Sequence, residues 1–183
     1  MNLLNAFDRL DKITEGKADY LDEYKKYIDG HRARVKQFAD WLKTNVPEVF
    51  EGVDLGHFDV IIAEHDESKF SEEEFEPYAN FWANDSDHYD YDPEYEAAWE
   101  HHWMNNEHHP EHWLGNDMPL IYILEMLCDW GSFSIAKKDF KELSNYYYEE
   151  AQYDDEKNLS DNTKEIIEDI LRQIDSAIKV DLR

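Results

Sequence analysis

Cysteine, glycine and proline are nearly missing from this chain of 183 residues, at one, six and five copies. A single thiol, Cys128, excludes a disulfide framework and a cysteine-rich zinc site, and it suits a reducing cytoplasm. So few glycines and prolines leave little from which to build a many-turned β architecture, and this points to helices. No apolar run approaches the roughly 20 residues that a membrane-spanning helix needs. The opening stretch MNLLNAFDRLDKITEGK is charged early and has no long apolar segment, so neither a signal peptide nor a membrane partner is expected. Positive charge is scarce as well: 18 lysines and arginines stand against 44 aspartates and glutamates, a formal net charge of −26. Such a surface repels phosphate backbones, which argues against a nucleic acid polymer as partner. The charge can serve solubility, a basic protein partner or a carboxylate-rich metal site. One small anion remains bindable where local cations or metals reverse the field.

Hydrophobic residues make up 42% of the chain, near the globular norm, and the length suits one domain with a real core. ADYLDEYKKYIDGHRARVKQFADWLKTNV spaces Leu21, Tyr24, Ile28, His31, Val35, Phe38 and Leu42 at three- and four-residue steps, predicting a helix that Pro47 ends. LGHFDVIIAEH reads as a shorter buried helix. Ser71 followed by Glu74 forms a capping-box pattern, which predicts the next helix from Ser71. Asp92 and Pro93 predict the start of another, running to near His109 because Pro110 disfavours helix just before it. MPLIYILEMLCDWGSFSIAKK is the most apolar helix and is expected to be central. Asn162 with Glu165 predicts the start of an amphipathic closing helix over about 162–179. The expectation is a single all-α domain, a helical bundle with a metal site between core helices.

Nine histidines are many for this length, and five lie in HHWMNNEHHPEH. Imidazoles and carboxylates are the usual ligands of transition metals, and helix packing alone calls for no such cluster. His108, Glu111 and His112 match the H-x-x-E-H order of one zinc protease class, but Pro110 breaks the helix that order requires. The doublet His65-Asp66, in AEHDESKF, offers more. Its two side chains end an apolar element and can splay onto one ion. His31 sits on the inward stripe of its helix, and Asp129 lies inside LEMLCDWGSF, where a bare carboxylate would cost several kcal/mol. Asp129 therefore either binds a metal or pairs with Arg32, Arg34 or a lysine.

His31, then His65-Asp66, then Asp129 resembles the H…HD…D signature of the HD-domain superfamily of metal-dependent phosphohydrolases, with separations of 34 and 63 residues. The resemblance spans about residues 20–140. HDESKF is similar to the H-D-x-x-K form found in the cyclic-dinucleotide phosphodiesterase branch and in the mixed-valent diiron oxygenases of the same fold. HDESKFSEEEFEPY, AWEHHWMNNEHHPEHW and EMLCDW together resemble an uncharacterised bacterial and phage family regarded as HD-like. The resemblance implies an HD-like bundle holding one or two divalent transition ions (Mn, Fe, Zn, Ni or Co). In the dinuclear branches two further histidines hold the second ion, and the candidates are His102 and one of His108 or His109. His102 and His109, seven residues apart, would share one helix face.

In the hydrolytic reading Asp66 bridges the ions or orients the water. Lys69 faces the phosphate as a point charge or, failing that, is a surface lysine. If only one ion binds, His102 or His108 is instead a general acid or a phosphate contact. Arg34 and Lys137 or Lys138 add positive charge, and Trp99, Trp103, Trp113, Trp130 and Tyr122 stack on a base or simply fill the core. The expected function is hydrolysis of a nucleotide or small phosphate ester in the cytoplasm. The alternatives are a non-haem diiron oxygenase on the same ligands and a non-enzymatic acidic domain that covers a basic partner.

Overall fold

The three- and four-residue spacing of apolar side chains is realised as helix throughout the described residues, with no strand among them. The computed structural model describes residues 3–83, 92–139 and 141–181, and side chains within these from 19 to 178. Seven α-helices occur in this span: α1 (Leu3–Asn45), α2 (Leu55–Glu64), α3 (Phe75–Ala83), α4 (Pro93–Asn105), α5 (Leu120–Lys137), α6 (Glu142–Glu149) and α7 (Asp161–Asp181). The chain separates into two compact units, one made of Met1–Gly30 and Glu67–His102, the other of His31–Asp66 and Trp103–Arg183. No helix among the described residues is long and apolar enough to cross a membrane.

In the first unit, Tyr24 and Ile28 of α1 bury against Tyr78 and Ala79 of α3 and Ala98 of α4. Asp92 caps α4 as its sequence predicts, accepting hydrogen bonds from Glu94 N at 2.9 Å and Tyr95 N at 3.3 Å. The loop expected ahead of Asp92 lies, over residues 84–91, outside the described residues. Two boundaries differ from expectation. Helix α3 begins at Phe75, not at Ser71: Ser71 Oγ is buried with no hydrogen-bond partner. The capping box fails because the Glu74 carboxylate is engaged by imidazoles, described below. Helix α4 ends at Asn105, so His108 and His109 lie in the turn beyond it and His109 shares no helix face with His102.

The second unit is built round α5. Ile123, Leu124, Met126 and Leu127 bury against Phe38 and Leu42 of α1, Phe58 and Ile62 of α2, Leu143 and Tyr147 of α6, and Ile167, Leu171 and Ile174 of α7. Each such side chain contributes about 1.5–3 kcal/mol through removal from water. At Gly131 the backbone of α5 comes so close to α1 that a Cβ there would stand 2.6–2.7 Å from atoms of the Phe38 ring. Asp54 caps α2, accepting from Gly56 N at 2.9 Å and His57 N at 3.2 Å. Pro47 follows the end of α1 and opens a single 3-10 turn, Pro47–Phe50. The closing helix α7 is entered earlier than Asn162 predicts, because Ser160 Oγ accepts from Thr163 N at 3.1 Å and takes the capping position.

Candidate metal centre

Three elements of the second unit and one turn aim imidazoles and carboxylates at a common place. His31 comes from the inward face of α1, and His65 ends α2. Asp66 follows with φ of 57°, the left-handed conformation that aspartate adopts more readily than most residues. Helix α5 supplies Glu125 and Asp129, one turn apart, and the turn after α4 supplies His108. His31 Nε2 lies 3.0 Å from Asp129 Oδ1, 3.4 Å from Asp66 Oδ2 and 3.4 Å from His65 Nε2. His65 Nε2 is in turn 3.6 Å from Asp66 Oδ2 and 3.9 Å from Asp129 Oδ1. Donors bound to one transition ion at about 2.0–2.1 Å stand roughly 3.0–3.5 Å apart. Most of these separations are of that size.

Asp66 turns its other oxygen elsewhere: Oδ1 is 3.7 Å from His108 Nε2. Asp66, His108 and His109 each offer a ligand atom within 4.8 Å of the others. His31, His65, Asp66, His108 and Glu125 are buried, with Asp66 1% and His65 1% exposed, while Asp129 and His109 are half-buried. Carboxylates so placed are costly unless charge is balanced. In the metal-free protein His31 supplies that balance. Burial opposes its charge, but hydrogen bonds to Asp129 and Asp66 outweigh burial and raise its pKa to about 9. Asp129, whose burial alone would raise its pKa, is lowered to about 2 by His31. His108 is likewise raised, despite burial, by Glu125 and Asp66, and Glu125 is lowered by His108 and His65. Protonated imidazole thus balances these carboxylates, and a buried His/Asp/Glu set of this kind could hold a metal ion.

One family model matches residues 21–173: a family of unknown function, DUF5662. This chain belongs to DUF5662. No curated protein and no solved structure matches it. The DUF5662 match spans every histidine and carboxylate named above.

Asp129, for which an arginine or lysine partner was the alternative, has His31 and His65 beside it, while Arg32 donates from Nη2 to Ala63 O at 2.7 Å. Arg34 is half-buried one turn beyond His31, with its Nε enclosed and without a hydrogen-bond partner. His109 is less buried than His108 and has Glu111 Oε2 3.8 Å from its Nδ1. Lys137 is exposed and paired with Glu142, and Lys138 ends α5 in a left-handed conformation. Of the aromatics, Trp130 is buried edge-on to Tyr146, and Trp113 donates from Nε1 to Glu107 O at 2.8 Å.

His102 and Lys69 belong to the first unit. There His102 Nδ1 donates to Glu74 Oε2 at 2.8 Å, and His101 Nδ1 to Glu74 Oε1 at 2.7 Å. Burial would raise the Glu74 carboxyl, but His102 and His101 hold it below its usual value. The Lys69 ammonium lies 5.9 Å from the centre of the Tyr78 ring.

The sequence reading missed Glu74, Glu125 and Ser132. For Glu125 a signal existed: it stands four residues before Asp129, so two carboxylates share one face of an otherwise apolar helix. Ser132 Oγ, 3.3 Å from His31 Nδ1, gives no such signal.

Proposed function

We propose that this DUF5662 protein is a metal-dependent phosphohydrolase acting on a small phosphate ester, with a nucleotide as the favoured class. The observation that carries the reading is the division of Asp66: Oδ2 faces His31 and His65, and Oδ1 faces His108. A carboxylate with its two oxygens facing separate groups of imidazoles is the expected bridge of a two-ion site. His31, His65, Asp66 and Asp129 would hold one ion, and Asp66 with His108 and His109 the other. A divalent transition ion at such a place supplies Lewis acidity and lowers the pKa of water.

The residues of the chain do the rest. Asp66, fixed by its backbone and enclosed, sets the separation of the two positions. Asp129 keeps a negative charge at the edge of the site, where its side chain is 17% exposed. Arg34, one helical turn from His31, is placed to offset the acidity of the chain toward a phosphate. Lys69 as phosphate contact and His102 as ligand or general acid enter through the resemblance of HDESKF and the histidine cluster to the HD superfamily. The cytoplasmic setting is supported by the single buried thiol.

The same donors accept iron as readily as manganese or zinc, which keeps an oxygenase reading alive. One experiment separates them. Protein purified without chelator or affinity nickel is assayed for metal content beside Asp66→Ala, then reloaded and tested on aryl and nucleotide phosphate esters with oxygen consumption recorded. Ester hydrolysis that needs the metal and is lost in Asp66→Ala is the expected result. Iron with oxygen-dependent turnover and no hydrolysis would replace it with the oxygenase. No stoichiometric metal, even after reloading, would leave an acidic protein-binding domain.

A further inference from the structure

The two histidines assigned to different ions are tied to the same carboxylate oxygen. His65 Nδ1 is 3.0 Å from Glu125 Oε1, and His108 Nδ1 is 3.2 Å from that same atom. The two rings are tilted 41° to each other with centroids 4.4 Å apart, and Glu125 is 4% exposed. A carboxylate oxygen has two lone pairs and can accept from both rings at once. Because an ionised carboxylate only accepts, each Nδ1 must carry hydrogen, and each ring is left with Nε2 as its one metal-binding atom. Those Nε2 atoms are the ones that face Asp66, at 3.6 Å from His65 and 3.7 Å from His108. A third imidazole has a hydroxyl in the corresponding place, His31 Nδ1 lying 3.3 Å from Ser132 Oγ, which can accept from it or donate to it.

We infer that Glu125 is a positioning residue shared by both ion positions, selecting the tautomer and aim of His65 and His108 together, so that both positions depend on this one carboxylate. This rests on the reading of those histidines as ligands. Outer partners of metal-bound histidines typically change metal affinity about 10- to 100-fold when removed. Most such partners serve one ligand. Here one atom serves two, and a single substitution reaches both ions.

The test uses zinc, which is diamagnetic, with wild-type protein, Glu125→Leu and Ser132→Ala. Competition with a chromophoric chelator gives the affinity of each equivalent. Nitrogen-15 histidine spectra of the zinc-loaded protein show which ring nitrogen carries hydrogen and how fast it exchanges. In wild type, His65 and His108 should each show a slowly exchanging, low-field Nδ1 proton. Glu125→Leu, which removes the acceptor at similar volume, should weaken both equivalents about 10- to 100-fold and lose that protection at both rings. Ser132→Ala should weaken only the equivalent bound by His31.

Wild-type protein that takes up no zinc would overturn the metal reading itself. Wild type that binds two equivalents while Glu125→Leu leaves both affinities and both Nδ1 protons unchanged would overturn this inference alone. Zinc on Nδ1 of either ring would also overturn it, making Glu125 a ligand. Should Glu125→Leu fail to fold, the wild-type spectrum still decides: freely exchanging Nδ1 protons at His65 and His108 exclude the shared acceptor.

Discussion

Loading the centre must displace a proton from His31, and raising the pH should make that displacement easier by an amount the geometry sets. His31 Nε2 lies 3.0 Å from Asp129 and 3.4 Å from Asp66, and despite its burial these partners raise its pKa from 6.5 to about 9. Near neutrality the imidazole is therefore cationic, and its charge stands where the proposed ion would bind. Two pH units below that value the competition weakens metal binding about 100-fold, at tenfold per unit. The apparent association constant for zinc, measured against a chelator of known proton affinity, should rise about tenfold per pH unit from 6.5 and flatten near 9. Calorimetry at pH 7.5 in buffers of different ionisation enthalpy should count at least one proton released per ion bound at this position.

The metal-free fold runs the other way. A raised histidine pKa stabilises the folded state fully below 6.5, and this contribution, about 3 kcal/mol, is lost as pH climbs through about 9. Melting temperature without metal should fall across the window in which affinity rises. Asp129→Asn should move both curves to lower pH. A flat affinity profile with no proton release at pH 7.5 would refute the claim that the two carboxylates hold His31 charged.

Three further outcomes follow from the packing and the backbone. Asp66 has φ of 57°, so in metal-free protein Asp66→Gly should be about 1 kcal/mol more stable than Asp66→Ala by chemical denaturation, while neither binds metal; equal stabilities would deny the strain. Gly131→Ala would gain up to about 1 kcal/mol from helix propensity alone. With its Cβ 2.6 Å from the Phe38 ring it should instead lose about 1–3 kcal/mol in a denaturant titration, so the sign of the change tests the close approach. Ser160→Ala should cost about 1 kcal/mol in the same assay. Asn162→Ala should cost little, because Ser160 and not Asn162 accepts from Thr163 N.

The helices were legible because their apolar residues recur every three or four positions, as in Val35, Phe38 and Leu42. Their first residues were less so. Ser71-x-x-Glu74 has the composition of a capping box, but Glu74 is drawn to His101 and His102, a competition invisible in a local pattern. Asn162 lost its capping role to Ser160 for a similar reason: two polar residues were candidates and only geometry chose. In the centre, His31, His65, Asp66 and Asp129 stood out as polar groups on apolar stripes, and the fold brings them together. Glu125 did not, because its task is to receive hydrogen from two rings supplied by segments 60 and 17 residues away. The assumption that His102 and His109 share a helix face failed at Asn105, where the helix stops before Pro110 requires it to.

Glu125, Asp129 and Ser132 stand on α5 at intervals of four and three, each touching a different part of the histidine cluster. One helix thus works as a ruler on which the centre is measured. Exchanging one apolar residue for another between those marks changes the ruler little. Adding or deleting a single residue between Glu125 and Ser132 rotates everything beyond it by about 100° and takes Ser132 from His31. Between Glu125 and Asp129 the same change takes away Asp129 as well. Among DUF5662 chains that keep this centre, length variation is therefore expected in the connections and not in the eight residues from Glu125 to Ser132.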